Sequence, residues 1–92
     1  MDRDVNDPRY IAWRASVVKR DGSRCQMTGC KRRGKEVHHI FSWASAPLLR
    51  FEVENGIHLC KQHHYQIRNH EETFIELFMH IIQSKKNPEK GV

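Results

Sequence analysis

Three cysteines and seven histidines in 92 residues are the side chains best equipped for chemistry in this chain. Five of the histidines fall between positions 38 and 64, close to the last cysteine. Cys25 and Cys30 form one close pair, Cys60 and His63 another, and 29 residues lie between the pairs. Two such pairs separated by a strand-bearing insert is how two loops commonly cage a tetrahedral zinc ion, because each short spacing lets two ligands converge without long-range rearrangement. An odd number of cysteines speaks against a disulfide framework. Three buried, reduced cysteines beside an unrelated histidine are the competing reading, and the paired spacing tells against it. The fourth ligand stays open: His63 fits the spacing, His58 shares the strand face of Cys60, and His64 is adjacent.

A second set, His38, His39, Asn55 and His64, follows in chain order. Neighbouring residues on a strand point to opposite faces, so His38 and His39 cannot easily serve one ion together but can divide labour. One can bind a cation while the other faces the space where a nucleophilic water would sit. Phosphodiester hydrolysis uses both: imidazole is a general base poised near neutral pH, and a cation neutralises charge on the phosphate and leaving oxygen. His64 can supply a second ligand to that cation.

The elements that must position these residues can be read from local pattern. Asp7-Pro8 is a helix start, with a capping carboxylate and proline at the first helical position. Tyr10, Trp13 and Val17 recur at helical spacing, which predicts an amphipathic helix over 8–20 that ends at Asp21-Gly22. Residues 24–35 are polar and basic and predict a loop tied by something other than a hydrophobic core. Strands are predicted at 36–40 and 57–60, with a long connection over 41–50, a brief alternation at Phe51-Glu-Val-Glu and a turn at Asn55-Gly56. Helices are predicted over 61–69 and from Glu71 to Lys85-Lys86, with acidic residues first and basic residues last, as the helix dipole favours. Phe74, Leu77, Phe78 and Ile81 are expected to pack against the first helix, with Ile75, Met79 and Ile82 widening the stripe enough for a dimer contact. The tail from Asn87 is expected to fray.

The runs Glu36-Val-His-His-Ile and Asn55-Gly-Ile-His-Leu-Cys-Lys-Gln-His-His resemble the signature of the HNH endonucleases, over roughly residues 24–72. The resemblance implies an α+β fold: one zinc-tied ββα-metal domain across 1–92, of the kind also called a His-Me finger, with flanking N- and C-terminal helices. It implies that His38 and His64 bind a catalytic divalent ion, magnesium or manganese with nickel also able to support activity. It implies that His39 is the general base, that Asn55 braces the loop between the strands, and that Cys25, Cys30, Cys60 and His63 fill the structural zinc positions. Arg32-x3-Glu36-x-His38-His39 is similar to the arrangement in the DNase colicins, which makes Glu36 and Arg32 candidates for orienting the site or gripping phosphate. Two positions depart from the pattern: the usual fourth zinc ligand is cysteine rather than His63, and Arg68 stands where some relatives place a third metal-binding histidine.

A formal charge of +5 and a pI near 9.4 favour a polyanionic partner. Lys31, Arg32, Arg33, Lys35, Arg50, Lys61 and Arg68 are the candidates for DNA phosphate contact, which positions DNA without reading sequence. Trp43 is expected to pack in its loop rather than wedge into DNA. No apolar run is long enough to span a membrane, and the opening Met1-Asp-Arg-Asp-Val has no apolar signal region, which sets the expectation of a cytoplasmic protein; the resemblance implies that the cell is bacterial or a phage-infected host. By the same resemblance a phage packaging protein such as a terminase is a conceivable partner, and the expected state is a monomer or weak dimer. The rival reading is a non-catalytic zinc-stabilised module that binds DNA or protein. It shares the zinc and the charge but has no use for His38, His39, Asn55 and His64 together.

Overall fold

The computed structural model describes residues 5–86, so the expectation of fraying from Asn87 lies outside the described residues. Helix α1 spans Pro8–Asp21, strand β1 Glu36–His39, strand β2 Gly56–Leu59, helix α2 Lys61–Ile67 and helix α3 Glu71–Lys86. These are the two antiparallel strands and three helices of a small α+β domain. Each sequence-predicted element exists within a residue or two, because its terminators are local. The Asp7 carboxylate accepts from the Arg9 N–H at 2.8 Å, and Gly22 closes the helix at φ 66° with its N–H on Val18 O.

The brief alternation of Phe51-Glu-Val-Glu makes no strand: Val53–Asn55 form a 3₁₀ turn. Phe51 is drawn into a ring cluster, with its ring 5.6 Å from Trp43 and the Arg9 guanidinium 4.7 Å away. The Asn55 side chain meanwhile reaches back to the Phe41 backbone. Those contacts outweigh a short alternating pattern.

The strands pair in one register, His38 opposite Ile57 and His39 opposite Gly56. The sheet therefore has two distinct faces. Ile57 and Leu59 join Ile40, Cys25, Cys60, Ile67, Phe78 and Ile82 in the main core. Helix α1 covers the other face, where Trp13 and Val17 are buried. This corrects the expectation that the α3 stripe packs against α1. Phe78 and Ile82 face the sheet and α2 from the opposite side, and Leu77 is 37% exposed. The sheet separates the two helices because β2 turns Ile57 and Leu59 to the α3 side, while Gly56 on the opposite face leaves room for Trp13 and Val17 of α1.

Glycine is required at position 56 because a Cβ there would sit 2.6 Å from Val17 and 2.7 Å from the Trp13 ring. Gly56→Ala is expected to destabilise the fold by ~1–3 kcal/mol through overpacking, read as a lower Tm; an unchanged Tm would show that α1 does not sit this close. Arg20 fastens the end of α1, donating to Val53 O at 2.8 Å and to Gly56 O, and pairing with Asp21. Asp21 is buried and accepts the His58 N–H at 3.0 Å. Lys85 of α3 lies 3.8 Å from the same carboxylate, so one buried acid ties three elements together.

Candidate active site and metal centre

The basic loop at 24–35 is held against β2 by backbone bonds from Gln26 to His58 O and from Lys35 to Leu59 O. That places Cys25 and Cys30 over the start of α2, where Cys60 caps the helix and accepts the His63 N–H at 3.4 Å. The ligand atoms of Cys25, Cys30, Cys60 and His63 all lie within 4.8 Å of one another. Cys25 Sγ is 3.6 Å and Cys60 Sγ 3.3 Å from His63 Nδ1, and Cys30 Sγ is 4.0 Å from Cys60 Sγ. A tetrahedral zinc with bonds of about 2.0–2.3 Å has ligand–ligand edges of roughly 3.6–3.8 Å, so the donor set fits a structural metal such as zinc.

Among these thiols, burial pushes Cys25 up to about 11. Burial also acts upward on Cys60, but the His63 N–H and the side chains of Cys25, His63 and Cys30 outweigh it and bring Cys60 down to about 6. His58, the alternative fourth ligand, is not in the group. Its ring lies under Gly34, where a Cβ would come within 2.5 Å of it. Burial, the largest influence, lowers its pKa.

The second constellation surrounds an open cleft of about 760 Å³. His38, His39, His64, Glu36 and Arg68 line it together, which brings residues from β1, α2 and the segment after α2 to one place. His38 faces the main core side of the sheet, its ring 5.9 Å from His64 and 5.7 Å from Phe78. Its Nε2 is buried and has no hydrogen-bond partner among the described residues. Burial first, then His64, pushes His38 down to about 4 against an upward pull from Glu71. Its imidazole is therefore neutral at physiological pH, the form that ligates a cation.

His39 faces the other way, stacked on Trp13 at 3.9 Å with 12° between the rings. Its Nε2 is 2.9 Å from Arg50 O. A carbonyl only accepts, so Nε2 carries the hydrogen in this arrangement, and the proton-accepting lone pair belongs to Nδ1. Asn55 is buried behind this loop, its Oδ1 accepting the Phe41 N–H at 2.7 Å and its Nδ2 donating to Phe41 O and Leu49 O.

The other candidates scatter. Lys31 and Arg32 border a separate groove beside Cys30 and His63, and Arg33 and Lys35 are exposed. Lys61 borders a groove next to the cleft. Arg50 donates from Nε to Trp43 O at 2.7 Å and lies 4.4 Å over the Trp43 ring, so it and Trp43 pack against each other in the loop. Sequence reasoning missed Trp13 as the support of His39. Helical period marked it as core, but its partner lies 26 positions away and appears only when α1 docks. Tyr10, Arg14, His70 and Glu71 also line the cleft; Tyr10 and Glu71 are legible only as parts of helices, and nothing in their spacing marks any of the four as site residues.

A model of the HNH endonuclease family matches residues 25–74, more than half of the chain, and the chain belongs to that family. The matched span holds both the Cys3His group and the cleft histidines. No curated protein and no solved structure matches it. Family membership makes nuclease chemistry the class of function, with DNA as the substrate it implies. No helix of the described residues is long and apolar enough to cross a membrane.

Proposed function

We propose that the chain is a divalent-metal-dependent DNA endonuclease in which His39 is the general base. The observation that carries this reading is the division of two adjacent histidines across β1, with His38 meeting His64 on one side and His39 held by Trp13 and Arg50 O on the other, all at one cleft. His39 Nδ1 takes the proton from the attacking water, and the Arg50 carbonyl stabilises the imidazolium that results. Asn55 fixes the loop that carries that carbonyl. His38 and His64 would hold magnesium or manganese, with nickel able to substitute, and such an ion supplies charge neutralisation at the phosphate and leaving oxygen. Cys25, Cys30, Cys60 and His63 would hold zinc for structure. Glu36 lines the cleft, where it would orient the attacking water or the ion. Arg14 and Arg68 border the cleft and would grip phosphate beside the scissile bond. Arg32, Arg33, Lys35, Arg50 and Lys61 would hold the duplex further out.

Supercoiled plasmid is expected to become nicked or linear in magnesium or manganese. His64→Ala is expected to raise the metal concentration needed for half-maximal cleavage while leaving zinc content intact. An unchanged metal dependence in that variant would remove His64 from the ion site.

A further inference from the structure

Beside the cleft runs a second groove of about 500 Å³, lined by Glu36, Lys61, Gln62, His64, Tyr65 and Arg68. Glu36, His64 and Arg68 line both spaces, so the two adjoin. Tyr65 is 71% exposed in this groove, although a tyrosine ring is large and largely apolar. Lys61 opens α2 four residues before Tyr65 and Arg68 caps its end three residues after, and both are exposed and line the same groove. The Arg68 guanidinium is 5.8 Å from the Tyr65 ring centroid, so cation and aromatic form one surface. A single exposed aromatic is ordinary on a protein surface. One set between two cations, in a groove that adjoins the proposed phosphodiester-cleaving site, has the make-up of a stacking platform for single-stranded nucleic acid.

We infer that Tyr65 stacks an unpaired nucleobase of the DNA strand that runs out of the cleft, while Lys61 and Arg68 hold the phosphates on either side of it. This rests on the nuclease reading only in calling that strand the substrate. Bases inside a duplex are already stacked on both faces, so the base on Tyr65 belongs to a single strand, an overhang or an unpaired site. Gln62 supplies an amide that hydrogen-bonds any base edge, and Glu36 keeps the groove from being uniformly positive. The substrate class that follows is DNA with unpaired bases next to the scissile phosphodiester.

The test uses the full chain in zinc-containing, magnesium-free buffer, so that binding is read without cleavage. The probes are a single-stranded DNA oligonucleotide carrying 2-aminopurine and its fully paired duplex. Tyr65→Ala is expected to weaken single-strand binding by about 5- to 150-fold, the equivalent of ~1–3 kcal/mol of base–aromatic stacking, with loss of the change in 2-aminopurine fluorescence on binding. Duplex affinity is expected to stay the same, and Tyr65→Phe to behave as the wild type. Equal single-strand affinity in wild type and Tyr65→Ala would overturn the inference, and so would equal losses on single strand and duplex. Because no catalytic step is read, a chain that stacks the base but never cleaves contradicts the nuclease reading alone. A chain that cleaves with no effect of Tyr65 contradicts this inference alone.

Discussion

Replacing His39 by alanine or glutamine is expected to lower the rate of DNA cleavage by ~10²–10⁴-fold, the usual range for loss of a general base. The two variants separate chemistry from packing. His39 is buried against Trp13, so alanine leaves a gap beside the indole and should lower Tm, whereas glutamine fills most of the space. Neither keeps a group able to accept the proton near neutral pH. Both should retain zinc and bind DNA as the wild type does. Cleavage within a few-fold of wild type by a folded His39→Gln protein would remove His39 from the mechanism. Trp13→Leu is the companion experiment: it keeps an apolar residue on α1 but loses the ring stack and the bond from Nε1 to Glu52 O. It should therefore lower the cleavage rate as well as stability, through misplacement of His39.

The other large effect concerns the Cys3His group. Cys25 and Cys60 are core residues as well as thiols, sharing one cluster with Ile40, Ile57, Leu59, Ile67, Phe78 and Ile82. Among the described residues, the loop carrying Cys25 and Cys30 has no regular element of its own and is held by an isolated bridge between Arg24 and Arg33, backbone bonds, and side-chain bonds from Gln26 to Asp21 O and from Arg14 to Lys35 O. Structural zinc binding is worth ~10–16 kcal/mol in zinc-finger peptides, whereas a whole domain is stable by ~5–15 kcal/mol. Cys60→Ser, or prolonged treatment with a strong chelator, is thus expected to unfold the chain, seen as loss of the cooperative thermal transition and of bound zinc. His63→Ala should lose zinc and Tm in the same way. His58→Ala should keep its zinc and lose only the stability due to packing under Gly34. If the two histidine variants showed the opposite pattern of zinc content, His58 would be the ligand and His63 the bystander.

Much of this architecture is legible in the sequence, and the limits have physical causes. The helix boundaries are written locally, in Asp7-Pro8, Gly22 and the acidic start of α3, and they appear where those residues put them. The metal cluster is legible because short spacings bring ligands together whatever the rest of the chain does. The choice between His58 and His63 is not, since it depends on the loop at 24–35 closing over α2 while Gly34 seals His58 on the other side. The partner of the α3 stripe is not legible in the sequence either. Periodicity tells which face is buried but not against what, and the two-stranded sheet stands between α3 and α1. Trp13 shows the same limit at the candidate site: its spacing marks a core position, while its stack on His39 requires two elements to dock.

The central claim, that one bound metal supports the fold and another supports cleavage, is tested most directly by elemental analysis and plasmid cleavage on the same chelated sample. After brief EDTA treatment and desalting, the account predicts about one zinc per chain, as a closed set of soft ligands exchanges slowly and two imidazoles hold magnesium weakly. Secondary structure should be intact and cleavage absent. Added magnesium or manganese should restore cleavage with the zinc count unchanged. Full cleavage in EDTA, with zinc as the only metal detected, would contradict the account.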